Sequence, residues 1–310
     1  MPLITRRQAL LAKTESPYGV DSNPTGAADA IIVRNVQPTP IEVTREAREL
    51  LRPFLGNSSD VIGARFSRLR FDTEVAGSGT AGTAPKYGPL LRACGMAQVV
   101  NAGVSVVYTP ISTLPESVTL YLYLDGVLHR FVGARGSVSM RAQYRSAPLF
   151  SFDFTGFFVP VTDAALPAVT YSLQGTPLAF NKENTPTFAL HGVSSTIVRS
   201  FSFDLANQVV YRNIINSEVV RIVDRKPTAS FEIGAELMAV KNWFNAVANA
   251  EQGSMNLVHG TVAGNTVAIA GPAVQLNGIS QGDMEGDAMY TASAVLQPSA
   301  GNDEISITVR

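Results

Sequence analysis

The sequence predicts a mainly β protein built as two related halves, each with a helix beside its sheet, and three observations lead there. Strict alternation of apolar and polar residues recurs along the chain, as over 118–124, where Val118, Leu120, Leu122 and Leu124 share one face. Turn chemistry separates such runs, most clearly Asp125-Gly126, a pair that tolerates the positive φ angles of a two-residue hairpin loop. The strand and helix signals of the first half then recur in the same order in the second.

Residues 1–28 read as an N-terminal arm, with a short helical turn at Ala9-Leu10-Leu11 followed by the turn-forming Ser16-Pro17-Tyr18-Gly19 and Asn23-Pro24-Thr25-Gly26. A first β domain is expected over 29–162. It opens with a strand at 30–36 and a helix over 44–55, with Thr44 as N-cap and Gly56 as stop. Residues 67–75 alternate, and 118–124, 138–140 and 151–159 extend the meander. A connector over 163–190, rich in Pro, Gly, Asn and Thr, leads to a second β domain over 191–310. There Ala229, Phe231, Ile233 and Ala235 alternate ahead of a helix over 236–250. In that helix Leu237, Val240, Phe244 and Val247 form a stripe opposite Lys241, Asn242, Asn245 and Asn249, and Gly253 stops it. Strands follow at 255–258, 266–269, 273–276, 289–296 and 304–309.

Setting 67–74 against 229–236 brings Leu69 onto Phe231, Phe71 onto Ile233 and Glu74 onto Glu236. A helical signal follows each strand, at 89–94 and at 236–250. Val138 and Met140 then match Val274 and Leu276, while Phe152, Phe154, Phe158 and Pro160 match Tyr290, Ala292, Leu296 and Pro298. Identity is low, but order, spacing and face agree.

Composition narrows the function classes. Of the 310 residues, 45% are apolar and 16% charged, against roughly a quarter charged in average globular chains. No apolar run reaches the about 18 residues of a membrane span, so the low charge suggests a surface covered by further copies of the chain. With 24 basic and 25 acidic residues the net charge is −1, and no global field favours gripping nucleic acid. One cysteine, Cys94, leaves no intrachain disulfide and no thiolate zinc cage. Its setting, Leu90-Leu91-Arg92-Ala93-Cys94, suits a small buried side chain. Arg6 and Arg7 precede only a short apolar segment, Ala9 to Ala12, too brief for a signal-peptide core, so the chain is expected in a reducing cytoplasm until released.

Catalytic and ligand motifs fail on context. Gly77, Gly79 and Gly82 match GxGxxG after a strand, but Thr83-Ala84-Pro85 follows instead of a helix and no acid lies in 97–108. A small-residue loop that inserts into a neighbouring subunit is the expectation. Asp283, Glu285 and Asp287 crowd one segment, yet the positions a calcium loop needs as glycine and bidentate acid are Ala288 and Ala294, so a solvated acidic hairpin is expected. His129, His191 and His259 are far apart without metal-ligand spacing, and no GxSxG elbow occurs. Arg65, Arg68, Arg70 and Arg92 could form a phosphate patch, but Arg68 and Arg70 share a strand face with Asp72 and Glu74, which favours ion pairing.

Two segments carry a resemblance. Arg7-Gln-Ala-Leu-Leu-Ala-Lys13, running into Glu15-Ser-Pro-Tyr-Gly19 and Pro24-Thr-Gly-Ala27, is one. The strand, loop and helix from Leu69 to Gly95, ending in Tyr87-Gly-Pro-Leu-Leu-Arg-Ala-Cys-Gly95, is the other. Together they resemble the tail tube, or major tail, proteins of long-tailed bacteriophages, and the organisation is similar over most of the chain. The resemblance implies a non-enzymatic virion protein without cofactor, metal or membrane partner. Its β-sandwich-like domains would assemble into stacked rings around a β-barrel-lined channel, in contact with tape measure, terminator and tip proteins, and double-stranded DNA would pass without specific binding. Family rings are six-fold or pseudo-six-fold, so two tube-like halves per chain imply a trimer, with a hexamer of single decorated domains as the other arrangement. Under this reading Asp72, Glu74, Asp283, Glu285 and Asp287 are candidate lumen-lining acids. Arg6, Arg7, Tyr18, Gly77, Gly79, Gly82, Lys86 and Tyr87 are candidate inter-subunit contacts, and a long non-contractile tail is expected. A tail-tip or capsid-decorating protein, or a carbohydrate-binding β-sandwich, is the alternative; the only Trp, Trp243, falls in the expected helix rather than on an aromatic platform.

Overall fold

The computed structural model describes residues 3–310. In chain order the first half contains β1 (Gln8–Thr14), α1 (Gly26–Asp29), β2 (Ala30–Ile31), β3 (Arg34–Glu46), β4 (Val61–Glu74), α2 (Gly88–Ala93), β5 (Met96–Asn101), β6 (Ser105–Pro110), β7 (Val118–Leu124), β8 (Val127–Gln143), β9 (Leu149–Phe158) and β10 (Thr162–Asp163). The second contains β11 (Thr187–Leu190), β12 (Val198–Asp204), β13 (Asn207–Ile214), β14 (Ser217–Arg225), β15 (Thr228–Gly234), α3 (Trp243–Ala248), β16 (Gln252–His259), β17 (Val267–Met284), β18 (Asp287–Gln297) and β19 (Ser306–Val309). The protein is mainly β with few, short helices, and the strand pairing does not close into a barrel within one chain.

In the first half the strands lie side by side as β1-β7-β8-β9-β4-β3. In the second they lie as β11-β16-β17-β18-β15-β12. All these pairs are antiparallel, the two series run in the same sequence, and α2 and α3 fall at the same point in each. β8 and β17 are the long members, and each carries a bulge, after Val132 in the ladder with β9 and after Leu276 in the ladder with β18, where the strand bends. The ladders carry the pairing of Leu69 with Phe231 through to Phe152 with Tyr290 and Phe154 with Ala292. They do not carry Val138 onto Val274: Val138 faces Phe152, and the residue facing Tyr290 is Gln281. A period-two pattern fixes the face of a strand but not its register, and the β17 bulge moves that register again.

The halves join directly. β12 pairs with the end of β8, Phe203 opposite Met140 and Phe201 opposite Ala142, so the sheet runs from one half into the other. One large apolar core spans both halves, beside a small separate cluster of Leu11, Ala30, Tyr121 and Leu128. Phe71, Phe150, Phe152 and Phe154 stack along the first half, and Phe188, Phe201, Phe203 and Phe231 along the second. The 163–190 segment is no free linker. Ala164, Thr170, Gly175 and Phe180 donate amides to Gly126, Gly26, Gly77 and Ser146 carbonyls, stitching it along the first half.

Several local expectations are corrected. Residues 9–11 are strand, not helical turn: β1 is flanked by β7 and β2 and buries Ala9, Leu10, Leu11 and Ala12 in succession, the continuous apolar run of a strand covered on both faces. The helix expected over 44–55 is absent. β3 continues to Glu46, and Leu50, Leu51, Phe54 and Leu55 stay exposed; a short helix with no surface to bury its apolar face against has little to hold it. The helix expected over 236–250 shrinks to α3, whose N-cap Asn242 accepts a hydrogen bond from the Asn245 amide at 3.0 Å. Its buried residues are Trp243 and Ala246, while Leu237, Val240 and Phe244 are exposed. The expected strands at 266–269 and 273–276 are one strand that runs on to Met284. The hairpins at Asp125-Gly126 and Glu285-Gly286 have positive φ at both loop residues, which fits a primed turn.

Phe231 is fully buried and contacts Phe188 and Phe201 where the halves meet. Truncation to alanine removes a large buried ring, so Phe231→Ala is expected to lower the unfolding free energy by about 3–5 kcal/mol in a denaturant titration. Leu51→Ser, at a side chain with no contact to lose, is expected to change it by less than about 0.5 kcal/mol.

Candidate functional site

Alternation along the joined sheet separates two faces. Towards the core point Leu69 and Phe71 of β4, Phe152 and Phe154 of β9, Val138 and Met140 of β8, Phe201 and Phe203 of β12, and Phe231 and Ile233 of β15. The residues between them face the other way and are hydroxyl-bearing or charged: Arg70 and Asp72, Ser151 and Asp153, Ser137, Ser139 and Arg141, Ser202 and Asp204, Ser230 and Glu232. Shallow depressions cross this polar face, one at β3, β4, β8 and β9 and one over the β8–β12–β15–β18 joint.

Charges on this face are matched. Arg70 meets Asp153 at 2.7 Å, Arg68 meets Glu42 at 3.2 Å and Arg34 meets Glu74 at 3.3 Å. Asp72 lies 3.5 Å from Arg141 and accepts hydrogen bonds from Ser151 Oγ at 2.6 Å and Asn35 Nδ2 at 2.7 Å. In the second half Arg199 pairs with Glu232, which also accepts from Ser200 Oγ at 3.1 Å. The Asp153 carboxylate raises the Arg70 pKa through its hydrogen bond. These arginines are committed to carboxylates, so the face offers hydroxyls and near-balanced charge, not a phosphate patch. Exposed pairs of this kind each contribute about 0–1 kcal/mol; their consequence is electrostatic.

Of the five acids singled out in the sequence, Asp72 and Glu74 lie on this face. Asp283, Glu285 and Asp287 lie together at the exposed tip of the β17–β18 hairpin, with Glu285 in its turn. Alternation puts Asp287 on the Thr291 side and Asp283 on the other.

The eight contact candidates are scattered. Arg6 and Arg7 are exposed, and Arg7 reaches Asp125 at 2.7 Å. Tyr18 is held within the chain: its hydroxyl accepts from the Val220 amide at 2.7 Å and its ring lies under Arg135 at 4.3 Å. The loop carrying Gly77, Gly79 and Gly82 is docked on its own chain. The Gly77 amide donates to Asn265 Oδ1 at 2.8 Å, the Gly79 amide to the Gly264 carbonyl at 2.9 Å, and a Cβ at Gly82 would lie 2.3 Å from the Gly103 amide nitrogen. Lys86 bonds the Ala28 carbonyl, and Tyr87 is buried, its hydroxyl on the Ala76 carbonyl at 2.9 Å. Within one chain this loop packs against Gly103, Gly264 and Asn265.

Sequence reasoning missed Glu15, which gathers the Gly19 and Gly133 amides and the Ser117 and Thr119 hydroxyls at 2.6–2.9 Å. It also missed β12 to β14, although Phe201 and Phe203 alternate visibly. Cys94 is fully buried, and burial pushes its thiol pKa well up. The histidines lie in separate surroundings, and among the described residues no group of His, Cys, Asp and Glu could hold a metal ion. Among the described residues no helix is long and apolar enough to cross a membrane.

The sequence matches the family described as phage tail tube protein over residues 5–306. The chain belongs to that family. A comparison with curated proteins gave no match. This tail tube protein is therefore a non-enzymatic structural component of the virion tail, whose family self-assembles with other tail proteins.

Burial lowers the pKa of His129, His191 and His259 in the tail tube protein. Each stays neutral in the folded chain where the unfolded chain would protonate it, so unfolding takes up protons as the pH falls through about 6.5. The melting temperature is expected to hold above neutrality and to fall on acidification through that value. The same scan on His259→Gln is expected to show a shallower fall.

Proposed function

We propose that the chain is a tandem of two tube units and that three chains form each ring of the tail tube. The observation that carries this reading is the shared strand order, β1-β7-β8-β9-β4-β3 in one half and β11-β16-β17-β18-β15-β12 in the other, with α2 and α3 in matching places. Three such chains supply six similar units, and a six-unit ring closes without leaving a strand edge exposed. In this reading the units are 29–162 and 191–310, tied by 163–190, and β1 belongs to the first unit although it precedes residue 29.

The hydroxyl-rich face of the joined sheet is proposed to line the channel. DNA carries about one charge per 1.7 Å of duplex, so a wall of unpaired arginines would hold it, whereas arginines neutralised by Asp72, Asp153, Glu74 and Glu232 leave little positive field. Asp283, Glu285 and Asp287 are proposed to add negative potential at the hairpin rim, and Arg6 and Arg7 to remain available for contacts outside the protomer. Tape measure, terminator and tip proteins are the proposed further partners.

Electron microscopy of the purified protein over a concentration series is expected to show hollow tubes whose rings have three-fold symmetry by chain and six similar densities. Rings of six whole chains would overturn the tandem reading, and a decoration or tip role would be favoured by particles without a channel. Asp283→Lys combined with Asp287→Lys is expected to leave tube formation intact and to slow DNA ejection from virions; an unchanged ejection rate would remove the rim from the channel.

A further inference from the structure

The joint between β12 and β8 is made inside the chain, and it marks two edges that have no partner inside it. β8 pairs with β9 on one side; on the other it pairs first with β7 and then, from Ser139 to Gln143, with β12. β17, the matching strand, pairs with β18 on one side and with β16 on the other only as far as Gln275. The stretch beyond, to Met284, is open on that side and largely exposed. β12 is gripped between β15 and β8, whereas β3, the matching strand, pairs with β4 alone. What fills the open side of β12 is therefore missing from β3, and what fills the end of β8 is missing from β17.

A second, independent pattern points to the same match. The insertion between β12 and β15, the β13–β14 hairpin, crosses the joint and lies on the first half. Tyr211 stacks on Phe66 with ring centroids 5.1 Å apart, Val220 is fully buried, and Asn207 Nδ2 donates to the Cys94 carbonyl just after α2 at 2.6 Å. The corresponding insertion between β3 and β4, residues 47–60, touches nothing comparable: Leu51 is 104% and Leu55 101% exposed. In the half such an insertion would reach, the segment at α3 leaves Leu237 80% and Val240 57% exposed, while Leu90 and Leu91 of α2 are fully buried.

We infer, on the reading that the chain is a tube subunit, that β3 of one copy adds antiparallel to the open end of β17 of the next, and that loop 47–60 then covers the apolar surface at 237–244. The internal joint sets the register. Asp204 faces Thr228 and Ser139, the last pair of the internal ladder; through β4 and β18 the same geometry places Glu42 opposite Gly282, and extending β3 two residues further in that antiparallel register brings Thr44 opposite Ser280. Pro38 and Pro40 have no amide to donate, which keeps the start of β3 from serving as a general template and leaves residues 41–46 as the pairing segment. The contact is head-to-tail, so it propagates round a ring and closes when the rotation allows.

The test is a disulfide between Thr44→Cys and Ser280→Cys, two positions that directly opposed strands bring within bonding range. In tubes assembled from purified protein, or in tails taken from virions, oxidation is expected to give covalent dimers and closed trimers on a non-reducing gel. Either single variant is expected to give none. Amide exchange over 277–284 is expected to slow at least tenfold on assembly, a readout independent of register. Leu51→Asp with Leu55→Asp is expected to keep the melting temperature of the monomer and to lose assembly. Tubes that form while 277–284 exchanges as in the monomer and no cross-link appears would overturn this inference and leave the tube reading standing. A protein that makes no tube and is absent from virion tails would overturn both.

Discussion

Five residues of backbone pairing, Ser200 to Asp204 against Ser139 to Gln143, decide the shape of this molecule. Without that ladder strand pairing would join the two halves only through β19, which pairs with β17 on one side and β6 on the other, and each half would have an apolar face to cover. With it, Phe201 and Phe203 continue the row begun by Met140 and Ala142, and the cores merge. The same ladder aligns the polar residues of β8 and β12, so a single hydrophilic face crosses from one half to the other. On the proposed reading this face lines the channel, where a wall around moving DNA has to be continuous and must not bind it.

Arginine and carboxylate positions on that face show how the neutrality is built. Arg70, Asp72 and Glu74 sit on one strand, yet none of them pairs with another of the three. Arg70 and Glu74 reach across to the adjacent strands, to Asp153 of β9 and Arg34 of β3, and Asp72 reaches over β9 to Arg141 of β8. The ion pairs are therefore a product of sheet order and would be lost in any other register. They add little stability individually, and they remove the phosphate-binding capacity that five free arginines would confer.

The sequence made the face of most strands legible and the partners of few. Alternation placed Leu69 and Phe71 in the core and Arg70 and Asp72 outside, and Asp125-Gly126 identified its hairpin, because both signals depend on local geometry alone. Val138 was set against Val274 where the ladder sets it against Gln281, since alternation repeats every two residues and carries no register. The two misjudged helices share a different cause. Leu50, Leu51, Leu55, Leu237 and Val240 have helical or near-helical spacing, but no surface of this chain covers them, and propensity without burial does not make a helix. At the candidate site, the acids Asp72 and Glu74 could be read from position, whereas Asp153, Arg141 and Glu232 became meaningful only once distant strands were brought side by side.

On the proposed tandem reading, two units on one polypeptide would also restrict what can be built wrongly. A ring assembled from single units can close with one too few or one too many, and curvature alone must prevent it. A ring assembled from linked pairs can contain only an even number, so the nearest faulty rings differ by two units and by a correspondingly larger bend at every joint. In a ring of three such chains, half of the joints would exist when a chain finishes folding and would not depend on how many copies are present. The ladder between β8 and β12 would then act as a counting device, fixing parity before any two molecules meet.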